Sequence, residues 1–494
     1  MNRQNFLGHL ALALTIILVA AFAGQMRRWH KERATRGEKE EVGIEFRVDE
    51  DAPAVHEERD DDARAEVIVR FRPGTSPEQV ERLAARLGDR VQDQYEYVRG
   101  YVAIEDEDGL DVQSVVNEYM MQEEVEYAEP NFQIELDPLE ADDAEEAQDS
   151  LNHPPTSAPN DPLLGEQWAL INTGQREGKT KADINALQAW LQKTTGSEKI
   201  VVAVLDSGVD YTHRDLMGNM WLRPASLAPY RDAQLGTIDD QHGYNAVENN
   251  GDPMDDNGHG THCAGIIGAE GNNGEGIAGV NWKVQIMPLK FLGAGGSGTT
   301  KDAIEAINYA IERRKAGVNL RIISASWGST QRSRGLEDAI RRAGEEGILF
   351  VAAAGNSSVN NDRSPHFPSS YPLPNVLSVA ALDRRDELAS FSNYGLKSVH
   401  IAAPGKEILS TWLDGDYEEH SGTSMATPVV SGVAALMLAS EPGLSMEKLR
   451  ERLLGSVDKL DSLNGKIATG GRINAARAVG AQTESSWYEM GTLP

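Results

Sequence analysis

The sequence predicts an α/β protein: a doubly wound parallel sheet with helices on both faces, preceded by a small α+β domain of ferredoxin-like type. Three observations predict it. Apolar, β-branched runs ("IVVAVLD", "VQIMPLKFL", "RIISASW", "GILFVAAAGN", "NVLSVAAL", "VHIAAPG") recur between residues 160 and 481, as in strands buried on both faces. Helical patterns such as "TTKDAIEAINYAIERRKAG" and "RGLEDAIRRAGEEG" separate several of them, which is the βαβ order of a parallel sheet. Residues 65–137 form a separate, shorter series: strand "AEVIVRF", helix "SPEQVERLAARLG", strand "YVAIED", helix "VQSVVNEYMM" and the extended "VEYAEPNFQIEL". That order is β-α-β-α-β, with room for one more strand near Val91, and suits a small α+β sandwich.

Taken in order, residues 1–24 contain "FLGHLALALTIILVAAFAG" after a polar start with Arg3. Ala21-Phe22-Ala23 has the small-residue form of a signal cleavage site. The segment is also long enough to span a bilayer, and Arg27, Arg28, Lys31 and Arg33 follow it. A cleaved signal, a retained membrane anchor and an inverted anchor with a cytoplasmic body all stand at this point. The first two make the body secreted or extracytoplasmic. Residues 25–64 are charged and aperiodic and read as a disordered linker. Residues 138–159 are acidic, then rich in Asn, Pro and Ser, and read as an exposed linker. Residues 160–481 are the large domain, and 482–494 a tail.

The formal net charge of −30 argues against nucleic acid as a partner, because phosphate binding needs a basic surface. The single cysteine, Cys263, allows no internal disulfide. Stability must come from packing or bound ions.

Four positions at element boundaries each have a glycine within two residues. Strand "KIVVAVLDSGVD" ends at Asp206; "DDNGHGTHCAGIIG" sets His259 between Gly258 and Gly260; "ILFVAAAGN" ends at Asn356; "GTSMATP" places Ser424 at a helix start. Serine hydroxyl is a poor nucleophile and needs an adjacent base. His259 suits that role near neutral pH, and Asp206 suits the task of holding its tautomer. The Asn356 amide and the Ser424 backbone N–H suit a developing oxyanion, and the helix dipole points its positive end there. The order Asp, His, Ser differs from that of α/β-hydrolases and of chymotrypsin-like folds.

"VAVLDSGVD", "GHGTHCAG", "AAAGN" and "SGTSMATP" closely resemble the motifs of subtilisin-like serine peptidases, in the right order from about 160 to 481. Cys263 after His262 resembles the thermitase and proteinase K branches. The resemblance implies an Asp206–His259–Ser424 triad, with Asn356 as oxyanion donor, in an endopeptidase working through an acyl-enzyme. It implies that residues 65–137 are an inhibitory propeptide, so that the chain's own propeptide and polypeptide substrates are its partners. The cut is expected in the 138–159 linker. The enzyme is expected to be a monomer.

By the same resemblance, Gly296, Ser297 and Gly298 in "LGAGGSGT" and Ser326, Trp327 and Gly328 in "SASWGS" are the strands that pair with substrate. Ser326–Gly328 and Ala353, Ala354 and Gly355 are pocket walls, and His366 in "SPHFPSSYP" lies near the pocket floor. Structural calcium (Ca2+) is expected at Asp161, Asp215 and Asn273, and at a second site in "NNGDPMDDNG" with Asp252, Asp255 and Asp256. His262 reads as a structural histidine, since no HExxH is present. The alternatives are a narrow-specificity processing peptidase, a serine esterase and a non-proteolytic peptide-binding member of the fold.

Overall fold

The structure, a computed structural model, describes residues 64–137 and 158–481. The N-terminal hydrophobic segment, most of both linkers and the tail lie outside the described residues.

Residues 64–130 form a four-stranded antiparallel sheet in the spatial order Asp89–Gln94, Tyr101–Asp106, Glu66–Phe71, Val125–Pro130. The Pro77–Leu87 helix starts on a capping box between Ser76 and Gln79, with Pro77 at its first position, and the Val112–Met120 helix starts on Asp111. The extra strand is Asp89–Gln94, which carries a single apolar residue, Val91. Strand alternation divides the sheet's two faces. Val67, Val69, Phe71, Val102 and Ile104 pack on the domain's own helices through Val80, Leu83, Val115 and Tyr119. Ile68, Tyr101 and Ala103 face the other way, into a core shared with Ile304, Leu336 and Ile340 of the large domain.

The large domain is built on a nine-stranded sheet. Seven of its strands run in the spatial order Gly471–Ile473, Ile401–Pro404, Val376–Leu382, Leu349–Ala353, Leu320–Ala325, Gly196–Asp206, Lys283–Lys290. Tyr244–Asn245 closes one edge in parallel, and Val457–Lys459 closes the other antiparallel. Its strands are almost wholly buried, which explains their unbroken apolar runs.

The Thr423–Ser440 helix crosses this core and is buried from Thr423 through Leu438. It is the one helix among the described residues long and apolar enough to cross a membrane, and its burial inside the domain accounts for that composition. The Thr300–Lys315 and Arg334–Glu345 helices cover the opposite face and receive the small sheet.

Candidate active site

Asp206 ends the Gly196–Asp206 strand and is fully buried. That strand is the first of the large sheet in chain order. The strands after it are added to both sides, Lys283–Lys290 on one and Leu320–Ala325 on the other. Such a switch point, at the carboxyl ends of the strands, is where open α/β sheets hold their ligands. Asp206 Oδ1 accepts from Ser207 N at 2.8 Å and faces His259 Nδ1 at 2.7 Å.

His259 opens the His259–Gly268 helix. Gly260 lets that helix rest on the strand end: a Cβ there would stand 2.0 Å from the Gly208 carbonyl oxygen. Burial works against the His259 imidazolium, but the Asp206 carboxylate outweighs it, with smaller pushes from Asp255 and Asp137, so the pKa is raised above 6.5. His259 Nε2 is buried and has no hydrogen-bond partner among the described residues.

Ser424 is the second residue of the buried helix. Its Oγ donates to the Ser326 carbonyl at 2.9 Å, and Ser326 Oγ donates to the Ser424 carbonyl at 2.8 Å. The second bond follows from the sequence. Pro428 stands four residues on and has no N–H, so the Ser424 carbonyl lacks its helical donor. Ser326 Oγ and the Cys263 thiol, at 3.6 Å, approach it instead. In this rotamer Ser424 Oγ is not bonded to His259. Burial pushes the Cys263 thiol pKa well up, leaving an inert packed thiol.

Asn356 follows the Leu349–Ala353 strand. Its Oδ1 accepts from both Thr423 N and Thr423 Oγ1 at 2.9 Å, and Gly355 N donates to Thr423 Oγ1 at 3.1 Å. Thr423 thus ties the Asn356 amide to the first turn of Ser424's helix, a role that no sequence signal marked.

A strand of the chain itself lies beside these groups. Gln133–Glu135 pairs antiparallel with Ser297–Thr299, in the register Glu135 to Ser297 and Ile134 to Gly298. Leu136 N donates to the Gly296 carbonyl at 2.9 Å, and Glu135 bridges to Gly328 on the opposite side. Ile134 is buried in the shared core with Trp327 and Leu336, and Phe367 packs against it. The Trp327 ring itself belongs to the core, where its Nε1 donates to the Leu205 carbonyl at 2.8 Å. Ala353 and Ala354 are fully buried at the strand end. His366 Nε2 stands 3.4 Å from Asp137 Oδ2.

The oxygen-donor residues divide into two groups. Asp161 and Asp215 are brought together with Asn273. Asp161 accepts from Asn272 N at 2.8 Å and Asn273 N at 3.3 Å, and Asp215 Oδ1 accepts from Asn273 Nδ2 at 2.8 Å. Burial raises both carboxyl pKa values, that of Asp215 to about 6.

The acids of "NNGDPMDDNG" do not converge. Asp255 accepts from Ser207 Oγ, Asn257 N, Gly258 N, Thr261 N and Thr261 Oγ1 at 2.6–3.0 Å. It serves to fix the turn that carries His259. Asp256 pairs with Lys290 Nζ at 2.6 Å, and Asp252 takes the Tyr211 hydroxyl at 2.9 Å. Both oxygens of Asp255, and one each of Asp252 and Asp256, are engaged by three different sets of donors. His262 is buried, its Nε2 stands 3.0 Å from the Glu418 carbonyl, and burial lowers its pKa well below 6.5. It is a neutral structural residue.

The Subtilase family model matches residues 197–479, more than half of the chain. The chain belongs to the subtilase family. A second model, the Fervidolysin N-terminal prodomain, matches residues 49–131. The thermophilic serine proteinase of Bacillus sp. (strain AK1) is 34% identical over 424 residues, covering 84% of this chain and 87% of that protein. Thermitase of Thermoactinomyces vulgaris is 37% identical over 322 residues, covering 65% of this chain and 99% of its own length. The halolysin-like extracellular serine protease Nep of Natrialba magadii is 34% identical over 331 residues, covering 66% of this chain and 54% of that protein. A solved protease from Pseudoalteromonas arctica PAMC 21717 superposes with a TM-score of 0.53 at 28% identity, covering 66% of this chain and 99% of its own. This subtilase is therefore a subtilisin-like serine proteinase with an N-terminal prodomain.

Proposed function

We propose that this subtilase is an endopeptidase made as a self-processing precursor, with Ser424 as nucleophile, His259 as general base, Asp206 as the group that orients His259, and Asn356 as oxyanion donor. The observation that carries the reading is the prodomain's own tail, laid as an antiparallel strand between Ser297–Thr299 and Gly328. An extended peptide added to an open edge is the geometry of β-augmentation, and it leads directly to the buried Asp206–His259 pair.

In the reaction, Ser424 Oγ turns from the Ser326 carbonyl toward His259 Nε2 and attacks the peptide carbonyl carbon. His259 takes the proton, and Asp206 stabilises the imidazolium that forms. The oxyanion is met by the Ser424 N–H at the helix start and by the Asn356 amide, which Thr423 holds in place through Oδ1. The leaving amine takes the proton from His259. Water, deprotonated by His259, then hydrolyses the acyl-enzyme. While the tail occupies the groove no substrate enters, so the prodomain acts as an intramolecular inhibitor.

Ser424→Ala tests the assignment. The variant should accumulate as the uncut precursor, while wild type is cut between residues 137 and 160 and reacts with a fluorophosphonate probe. A variant that matures without added protease, or that still takes the probe, refutes it.

A structural calcium ion is proposed at Asp161, Asp215 and Asn273. Two buried carboxylates with raised pKa values, joined by an amide, are an all-oxygen donor set suited to that ion. Asn273 presents Nδ2 to Asp215, an orientation that a cation there would reverse. Chelation should lower the thermal midpoint by several degrees and raise the proton affinity of Asp215; an unchanged midpoint refutes the site. The hydrophobic segment at residues 6–24 supports export, with the body secreted or held at the outer membrane face.

A further inference from the structure

The pocket beside the nucleophile has a histidine for a floor. The His366 ring is buried and lies between the two expected walls. A Cβ on Gly328 would stand 2.0 Å from its Cε1, and a Cβ on Gly355 would stand 3.1 Å from its Cδ2. Glycine at both positions is what gives the ring its room. Neither ring nitrogen has a hydrogen-bond partner among the described residues. A buried polar atom left that way is unfavourable, so the ring is poised for something that enters the pocket.

What enters here is a carboxylate. Asp137 follows Leu136, the last of the described prodomain residues whose N–H pairs with the groove. Its Oδ2 is buried, has no hydrogen-bond partner and stands 3.4 Å from His366 Nε2. The same carboxylate is close enough to contribute to the raised pKa of His259. Asp137 therefore sits between the general base and the pocket floor, where the residue on the acyl side of a cut bond belongs.

We propose that His366 makes this pocket select an acidic side chain, Asp and then Glu, on the acyl side of the bond that is cut. The inference rests on the peptidase reading above and names its substrate class. An imidazole N–H facing a carboxylate rewards Asp and leaves the ring unpaired against an apolar residue. Sites built around a buried polar contact reject ligands that lack it far more strongly than apolar pockets reject a missing methylene. The ring also fills space that a large aromatic side chain would need.

The test uses the matured enzyme, with its active fraction counted by a fluorophosphonate probe, on peptide p-nitroanilides that differ only at the last residue: Asp, Glu, Asn or Phe. The Asp peptide should exceed its isostere Asn at least tenfold in kcat/KM, and should exceed Phe. In His366→Gly the Asp-to-Asn ratio should fall to about one, and Phe should become the best substrate. Wild type that favours Phe or treats Asp and Asn alike overturns the inference while leaving the peptidase reading intact. So does a ratio that survives in the variant. Should the variant fail to fold, the wild-type ratio decides alone. Absence of both probe labelling and hydrolysis of every peptide overturns the peptidase reading itself, and this inference with it.

Discussion

The two surfaces that hold this protein together are chemically unlike. The Thr423–Ser440 helix is set into the large domain by small and apolar side chains: Ala426, Val429, Val430, Val433, Ala434 and Leu436 are all buried. The prodomain shares an apolar core with the large domain, and to it adds charged contacts and contacts at helix ends. Glu129, itself buried, accepts from Ser333 Oγ, Arg334 N and Gly335 N at 2.7–3.0 Å, and so caps the Arg334–Glu345 helix from outside the domain. Asn131 Oδ1 accepts from Lys301 N at 2.8 Å, and the Phe132 carbonyl accepts from Thr300 N at 2.9 Å, at the start of the other covering helix. Arg70 pairs with Asp338 at 2.6 Å. An apolar seam is indifferent to pH and salt, whereas capping and ion pairing are not. The helix seam is mainly apolar, whereas the prodomain contact adds caps and ion pairs to its shared apolar core.

The sharpest way to break that contrast is at Glu129. A carboxylate at a helix N-terminus meets both the unpaired N–H groups and the dipole. Glu129→Gln keeps the shape and removes the charge. Loss of a buried, charge-assisted cap should cost about 2–4 kcal/mol of prodomain binding, roughly a 30- to 1000-fold weaker hold. The lag between prodomain cleavage and full activity should shorten accordingly, with kcat unchanged. An unaltered lag would mean that the apolar part of the interface, around Ile68 and Tyr101, does the holding.

The second prediction concerns pH. Asp93 on the prodomain strand Asp89–Gln94 meets Asp232 and Glu305 of the large domain, with ligand atoms of all three within 4.8 Å of one another. Glu96, Tyr95, Tyr230 and Tyr244 also face the cluster. Tyr230 OH donates to Glu305 Oε1 at 3.0 Å, and Arg313 lies over the Tyr230 ring. Burial, and then the charge of Asp232, push the Asp93 pKa up to about 7; burial and Asp93 push that of Glu305 well above its ordinary range. A separated Asp93 returns to about 4. The docked state therefore binds more protons than the separated one, and the sign follows. The hold is at full strength below about pH 4, weakens as pH rises, and has lost this contribution above about 7. For one proton, affinity falls about tenfold per pH unit inside that window. The activation lag should shorten between pH 5 and 7.5, and Asp93→Asn should flatten the slope. A lag that lengthens with pH would contradict the sign.

The contrast also separates what the sequence made legible from what it did not. Strand and helix periods are local, so the large sheet and both prodomain helices were readable. The four glycine-containing motifs were readable because each carries its own turn and cap. The strand at Asp89–Gln94 is nearly all polar, and its pairing with Tyr101–Asp106 rather than its own pattern makes it a strand. Asp255 looked like a metal ligand because acids cluster around it in sequence. Its oxygens are in fact spent on the turn before His259, which only the folded backbone reveals. Thr423, Glu129 and the Asp93–Asp232–Glu305 cluster join distant segments, and no spacing rule brings them together. Asp137 was readable as the last residue of the prodomain but not as the occupant of the pocket.

The smallest predicted effect lies inside the helix seam, where a few polar contacts interrupt the apolar packing. Pro428 leaves the Ser424 carbonyl without its helical donor, and Ser326 Oγ replaces that donor at 2.8 Å. Ser326→Ala should leave a buried carbonyl with only the weak Cys263 thiol as donor and cost about 1–3 kcal/mol of stability, with kcat lower by a few-fold as the Ser424 turn loosens. Pro428→Ala restores an N–H four residues along. In the double variant that N–H should satisfy the carbonyl, so the combined loss should be smaller than the sum of the two single losses. Thermal midpoints and kcat of the four proteins close the cycle. Strict additivity would mean that Ser326 supports Ser424 by packing alone, and that this polar contact in the seam is incidental.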